Sequence, residues 1–152
     1  VELHLVGAGD SQALEIMQDS IHRNKSGKNF IFYHGSLPYE QTLEWFHKAD
    51  IFVFPSTCET FGISLLEAMT VGLPIAASDR GPMPEVLKDA GLYFNPESVT
   101  SIKKCLRYMI DNPDLMQSLG SKAKKYSENY SWGKCADETF AFLSSVYEKN
   151  KT

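Results

Sequence analysis

Two carboxylates, Glu59 and Glu67, stand eight residues apart in the run Pro55-Ser56-Thr57-Cys58-Glu59-Thr60-Phe61-Gly62-Ile63-Ser64-Leu65-Leu66-Glu67-Ala68-Met69. An ionised carboxylate only accepts hydrogen bonds, and each can take two hydroxyl donors. Between the two, the chain leaves an apolar strand pattern at Ile51-Phe52-Val53-Phe54 and turns near Gly62 into a predicted helix over 63–71. The opening amides at Gly62, Ile63 and Ser64 have no carbonyl one turn back to donate to, and they sit at the positive end of the helix dipole. That is a site for an anion, most naturally a phosphate. Glycine at 62 lets a ligand approach the backbone with no Cβ in the way. Glu67 lies roughly 7 Å along the helix from Gly62, at about 1.5 Å rise per residue, and Glu59 lies in the loop on the other side of the turn. Two hydroxyl acceptors flanking a phosphate-sized site match a nucleoside diphosphate linked to a sugar, with its ribose diol at one end and sugar hydroxyls at the other. Each carboxylate also has a plainer reading: Glu67 as a core carboxylate satisfied by backbone amides or an arginine, Glu59 as a solvated loop residue. A glycosidase acid/base pair finds support in neither spacing nor fold.

Elements alternate around this segment. Strand patterns at 2–6, 30–33, 51–54, 74–77 and 92–94 are separated by helix patterns at 11–24, 41–48 (entered through Pro38) and 63–71 (ended by Gly72), with a short turn at 84–88. The first helix is expected to bury Ala13, Leu14, Met17 and Ile21. Between 63 and 71 only Ser64, Glu67 and Thr70 are polar, so that helix is expected to be buried nearly all round, and a carboxylate there needs hydrogen bonds. From Ser98 the chain is helical, over 98–111, 114–129 and 132–149. Strands that are apolar throughout are those of a parallel sheet covered on both faces. The reading is an α/β fold, a doubly wound, Rossmann-like parallel sheet with a helical C-terminal tail. Ligands of such sheets bind beyond the carboxyl ends of the strands, here the segments 7–10, 34–39, 55–64, 78–85 and 95–98.

Composition narrows the class. At 152 residues and 17.1 kDa, with 43% hydrophobic and 22% charged residues, the chain is an ordinary globular domain and not a disordered or fibrous one. A net charge of −4 argues against binding nucleic acid through a net basic surface. No apolar run approaches the roughly 20 residues that span a bilayer and no signal peptide leads the chain, so a cytoplasmic, soluble protein is expected. Three cysteines (Cys58, Cys105, Cys135) without a CxxC pair read as reduced core thiols. No His/Cys/Asp cluster has metal-ligand spacing, so neither metal nor cofactor is expected. Gly7-Ala8-Gly9 opens like a dinucleotide fingerprint, but Ala13 stands at the third glycine position and no acidic residue follows Tyr33; a tight turn is the better reading. Of the four histidines, only His34 ends a strand where it could touch a ligand. Lys103, Lys104 and Arg107, with Lys122, Lys124 and Lys125, form basic helical faces, read as solvated surface or as contact with an anionic membrane or a partner domain. The chain opens on Val1 directly into a strand pattern and is read as a fragment, 1–152, of a longer protein.

The stretch Glu-Thr-Phe-Gly-Ile-Ser-Leu-Leu-Glu-Ala-Met-Thr-Val-Gly-Leu-Pro-Ile-Ala-Ala-Ser-Asp, from Glu59, resembles the C-terminal, donor-binding domain of retaining GT-B glycosyltransferases of group 1 (GT4 type). So do Leu5-Val6-Gly7-Ala8-Gly9-Asp10, Ala49 to Ser56, Pro84-Glu85-Val86 before Gly91, and Tyr130-Ser131-Trp132. The resemblance implies that Glu59 accepts hydrogen bonds from the donor sugar. It implies that the backbone of Phe61, Gly62, Ile63 and Ser64 meets the sugar and diphosphate, and that Glu67 holds the ribose. The turn with Ser36 and Leu37 would meet the nucleotide base. It further implies a metal-independent transfer with retention, from a nucleotide sugar to an acceptor held by an N-terminal domain absent here. Three features depart from the pattern: Thr60 where glycine is usual, Arg80-Gly81-Pro82 before the Pro-Glu pair, and the absence of a preceding strand and helix carrying an Arg and a Lys. In the doubly wound order that strand lies between those at 3–6 and 51–54. Two other readings of the same fold stay open: a non-catalytic nucleotide-sugar-binding or interaction domain, and a nucleotide-sugar epimerase.

Overall fold

The computed structural model describes residues 1–23 and 30–151; Asn24, the expected end of the first helix, lies outside them. The chain, read above as one domain, divides into two compact units, Val1–His47 and a second that begins at Lys48.

In the first unit β1 (Leu3–Leu5) and β2 (Ile31–Tyr33) pair in parallel, Leu3 opposite Ile31 and Leu5 opposite Tyr33. Helix α1 (Ser11–Arg23) follows β1, and α2 (Tyr39–Lys48) follows β2. Asp10 caps α1, its carboxylate accepting the Ala13 amide at 2.9 Å. Leu14, Met17 and Ile21 are half-buried as the periodicity predicts, while Ala13 is exposed. The turns after the two strands are tied together: the Gly7 amide donates to the Gly35 carbonyl at 2.8 Å and the Tyr33 hydroxyl to the Gly7 carbonyl at 3.0 Å. His34 does not stand alone. Its Nε2 lies 3.0 Å from His4 Nδ1, and the Trp45 ring covers both imidazoles at 4.4 Å.

The second unit holds β3 (Phe52–Phe54), α3 (Ile63–Val71), β4 (Ile75–Ser78), α4 (Met83–Leu87), β5 (Leu92–Phe94), α5 (Val99–Ile110), α6 (Pro113–Ser127) and α7 (Trp132–Lys149). Its strands form a parallel sheet in the order β3-β4-β5, with Phe52 opposite Ile75 and Ala76 opposite Leu92. The central strand is β4, where Ile75, Ala76, Ala77 and Ser78 are all 0% exposed. The more hydrophobic β3 is only half-buried, because it forms one edge of this sheet. Ala76 and Phe94 meet Cys105 and Met109 of α5 in the core.

Among the described residues no pairing joins β1 or β2 to β3, β4 or β5.

Helix α3 rests on α6. Gly72 closes α3 in a left-handed conformation (φ 82°), and the Leu73 amide donates back to Ala68 at 3.2 Å. A Cβ on Gly120 of α6 would lie 2.3 Å from the Gly72 carbonyl oxygen, so glycine there allows the two helices to touch backbone to backbone. Asp89, beyond α4, takes hydrogen bonds from Lys122 and Tyr126 of α6. These two donors, Lys122 first, hold the Asp89 carboxyl below its ordinary range, and the same bond raises Lys122. Burial, and then the nearby Asp89 charge, push Tyr93 up to about 12. Lys122 is thus engaged by an acid rather than free on a basic face.

One expectation needs correction. Only Cys105 is a core thiol, with burial raising its pKa; Cys58 lies exposed in the loop after β3 and Cys135 exposed on α7, and all three are free. Every residue of α7 is exposed, including Trp132 at 81%, Phe140 at 70% and Leu143 at 55%.

Candidate functional site

The turn from β3 into α3 is set by one residue. Gly62 adopts φ 86°, ψ 60°, a left-handed conformation that side chains resist, and a Cβ there would sit 3.4 Å from the Phe54 ring. Its carbonyl accepts the Leu65 and Leu66 amides at 3.0 and 3.2 Å, which starts the helix. The amides of Gly62, Ile63 and Ser64 have no protein acceptor among the described residues, and no side chain caps them. Three donors and the positive end of the α3 dipole are therefore free for an anion.

Helix α3 is not buried all round. At 100° per residue Ile63, Ser64, Glu67 and Thr70 share one face, and this face is open: Ile63 is 55% exposed, Ser64 and Thr70 are exposed, and Glu67 is half-buried. The opposite face, Leu65, Ala68 and Met69, is 0% exposed and carries the packing. Glu67 thus projects from the same face as the opening turn, one turn along. Its half-buried position removes the need for a structural partner inside the core, and no ion pair engages Glu59 or Glu67 among the described residues. Both carboxylates keep their acceptor capacity.

Glu59 is half-buried, and its carbonyl lies 3.8 Å from where a Cβ on Gly81 would be. The loops after β3 and β4 therefore lie side by side at the carboxyl edge of the sheet. Gly81 (φ 56°) makes the close approach, and Ser78 Oγ holds the Arg80 amide at 3.1 Å. The Arg80 guanidinium is occupied by Asp79 at 3.2 Å and Glu97 at 3.4 Å. The Phe61 ring meets Tyr130 edge-on, with centroids 5.6 Å apart and planes at 67°.

Glu59, Phe61, Gly62, Ile63, Ser64 and Glu67 thus belong to one strand–turn–helix of the second unit. Ser36 and Leu37 belong to the first unit, in the turn after β2; Ser36 is exposed, Leu37 half-buried, and Gly35 takes φ 69°. Sequence reasoning gave no role to the Tyr33 hydroxyl, which donates to the Gly7 carbonyl, and named Tyr130 only within a motif, because its contact with Phe61 spans too much sequence for periodicity to reveal. An open groove of about 340 Å³ between β5 and α5, lined by Leu92, Tyr93, Ser101, Lys104, Cys105 and Tyr108, shares no residue with this turn. Among the described residues no three His, Cys, Asp or Glu side chains are grouped to hold a metal ion, and no helix is long and apolar enough to cross a membrane.

The chain is similar to known proteins. The chain is 31% identical over 102 residues to D-inositol 3-phosphate glycosyltransferase of Streptomyces coelicolor, an alignment covering 66% of this chain and 22% of that protein. Its fold matches Anabaena Alr3699/HepE in complex with UDP-glucose at a TM-score of 0.83 and 21% identity, over 95% of this chain and 41% of that one. It also matches the C-terminal domain of a glycosyl transferase group 1 family protein (LpcC) from Francisella tularensis, at a TM-score of 0.70 and 22% identity, over 79% of this chain and 63% of that one. These neighbours bear out the doubly wound α/β reading. The chain spans less than a third of the length of the curated relatives it matches, 22% and 29% in two cases. The family model for glycosyl transferases group 1 matches residues 1–126 and so takes in both sheets and the whole β3–α3 turn; the chain belongs to that family.

Proposed function

We propose that this chain is the donor-binding half of a metal-independent glycosyltransferase that moves a sugar, with retention, from a nucleoside diphosphate to an acceptor held by an N-terminal domain. The observation that carries the reading is the turn at Gly62, with three amides unclaimed by protein and an unpaired carboxylate to either side in sequence. The amides of Gly62, Ile63 and Ser64 meet the diphosphate and stabilise the charge that develops as it departs. Glu67 takes the ribose hydroxyls and Glu59 those of the sugar, which fixes the anomeric carbon relative to the acceptor. The turn of Ser36 and Leu37 takes the base through its backbone. No residue in this set serves as general base, so the departing phosphate guides the acceptor proton. A relative of this fold is known with UDP-glucose, which supports a nucleotide sugar as the substrate here.

The partner domain has its own support. On α7 the residues Trp132, Phe140, Leu143 and Tyr147 share one face and are 55–81% exposed, as expected of a helix that seats on a further domain. The exposed Lys103, Lys104, Arg107, Lys124 and Lys125 offer a peripheral contact to an anionic membrane, on the cytoplasmic side. By itself the 152-residue chain is inactive and binds donor weakly.

The test is a thermal-shift panel of nucleoside diphosphates and their sugars on the full-length protein, since a ligand that prefers the folded state raises the melting temperature. One base should stand out, in both its diphosphate and its sugar forms. A panel in which no nucleotide raises the melting temperature would overturn the reading.

A further inference from the structure

Helix α3 is held at both ends by α6 and the segment that follows it. At its C-terminus, Gly120 lies against the Gly72 cap so closely that a Cβ would fall 2.3 Å from the Gly72 carbonyl oxygen. At its N-terminus, the Phe61 ring, one residue before Gly62, meets the Tyr130 ring in a T-shaped contact with centroids 5.6 Å apart. Tyr130 is itself fixed. Its amide donates to the Ser127 carbonyl at 3.0 Å, Ser127 is 6% exposed, and the Ser131 hydroxyl caps α7 by accepting the Lys134 amide at 3.1 Å.

Gly62 has no side chain with which to anchor its own left-handed conformation. The Phe54 ring lies 3.4 Å from the Cβ position of Gly62, and on the other side of the peptide the Phe61 ring packs against Tyr130. The peptide between Phe61 and Gly62 carries one of the three unclaimed amides, so the orientation of the Phe61 ring and the aim of that amide are linked through one residue. Tyr130 lies beyond residue 126, where the family match ends.

We infer that Tyr130 is a positioning residue for the donor: through the Phe61 ring it holds the turn whose amides meet the diphosphate. The inference rests on the reading of that turn given under the proposed function. It needs the ring of Tyr130 and not its hydroxyl, because the contact is edge to face.

The experiment uses the full-length enzyme and compares Y130A, Y130L, Y130F, F61A and the double variant Y130A/F61A, with E67A as control. Y130A raises the donor KM about three- to tenfold, while the acceptor KM stays at the wild-type value and Y130F restores the donor KM. Y130L keeps apolar bulk without the ring edge and shows the same donor defect, which covers the event that Y130A does not fold. The effects of Y130A and F61A are non-additive, because both remove the same contact. A donor KM unchanged in Y130A and Y130L, or a full additive sum in the double variant, would overturn the inference. If E67A also leaves donor KM and activity unchanged, the donor reading of α3 itself falls; if E67A alone is impaired, only the role of Tyr130 falls.

Discussion

Gly62 adopts a left-handed backbone at φ 86° and is itself buried, with its Cβ position directed at the Phe54 ring rather than at open space, so glycine is required there by the backbone conformation. G62A should therefore cost stability of about 1–2 kcal/mol from the strained φ alone. The new methyl meets the Phe54 ring only in ordinary van der Waals contact at 3.4 Å, so any further loss of donor binding should come from the strained turn rather than from a clash. Melting curves and donor titration on the full-length protein separate the two effects. Glu67 is the opposite kind of residue. It is half-buried and unpaired, so E67A should leave the melting temperature nearly unchanged while lowering transfer about a hundredfold or more, the loss of charged hydrogen bonds to the ribose. Activity retained in E67A would remove its ribose role. Both residues were legible in the sequence, since a glycine at a strand-to-helix turn and an acid in an apolar helix each break the local pattern. The open face on which Glu67 lies was not legible: Ile63 is apolar yet 55% exposed, and residue type alone does not separate an exposed isoleucine from a core one.

The α3–α6 contact governs stability among the elements. Replacing a helical glycine by alanine ordinarily stabilises by ~1 kcal/mol, but at Gly120 the methyl would meet backbone that cannot rotate away, and overpacking costs about 1–3 kcal/mol. G120A should therefore lower the melting temperature, and a rise would contradict the close approach. The Asp89 bridge to Lys122 and Tyr126 makes a second prediction, with its sign fixed by the direction of the shifts. A carboxyl held below its ordinary value stabilises the fold above the unfolded-state pKa of about 3.9 and loses that contribution as pH falls through its folded value. Lys122, raised by the same bond, contributes below its unfolded value of about 10.4 and loses its share as pH rises through its folded one. D89N should melt below wild type at neutral pH, and the gap should narrow as pH falls below the unfolded-state pKa of about 3.9; a gap that does not narrow in acid would assign the loss to something other than charge. Element boundaries were largely readable because residues with specific backbone roles mark them: Gly72 ends α3, and Ser98 and Ser131 cap α5 and α7. Burial along the strands was misread. Phe52-Val53-Phe54 is the greasier run, yet it lies at an edge while Ile75-Ala76-Ala77-Ser78 holds the centre, because pairing order depends on partners distant in sequence.

At the scale of the molecule, the strands pair in two groups and the terminal helix leaves an apolar face uncovered. Alternation of strand and helix made the fold class readable, and the motif order made the family readable. The separation into two units was not, since no local pattern records which strands lack a neighbour. If α7 seats on a partner domain, F140S/L143S should leave the melting temperature of the 152-residue chain unchanged, because both side chains are already exposed, and should lower that of the full-length protein. Equal losses in both would place the contact within this chain instead. The central claim is tested most directly by a crystal structure of the full-length protein with its nucleotide sugar. Pyrophosphate oxygens within about 2.7–3.2 Å of the Gly62, Ile63 and Ser64 amides, with the ribose diol on Glu67, are the predicted result. A nucleotide sugar bound away from this turn, with those three amides left to solvent, would contradict it.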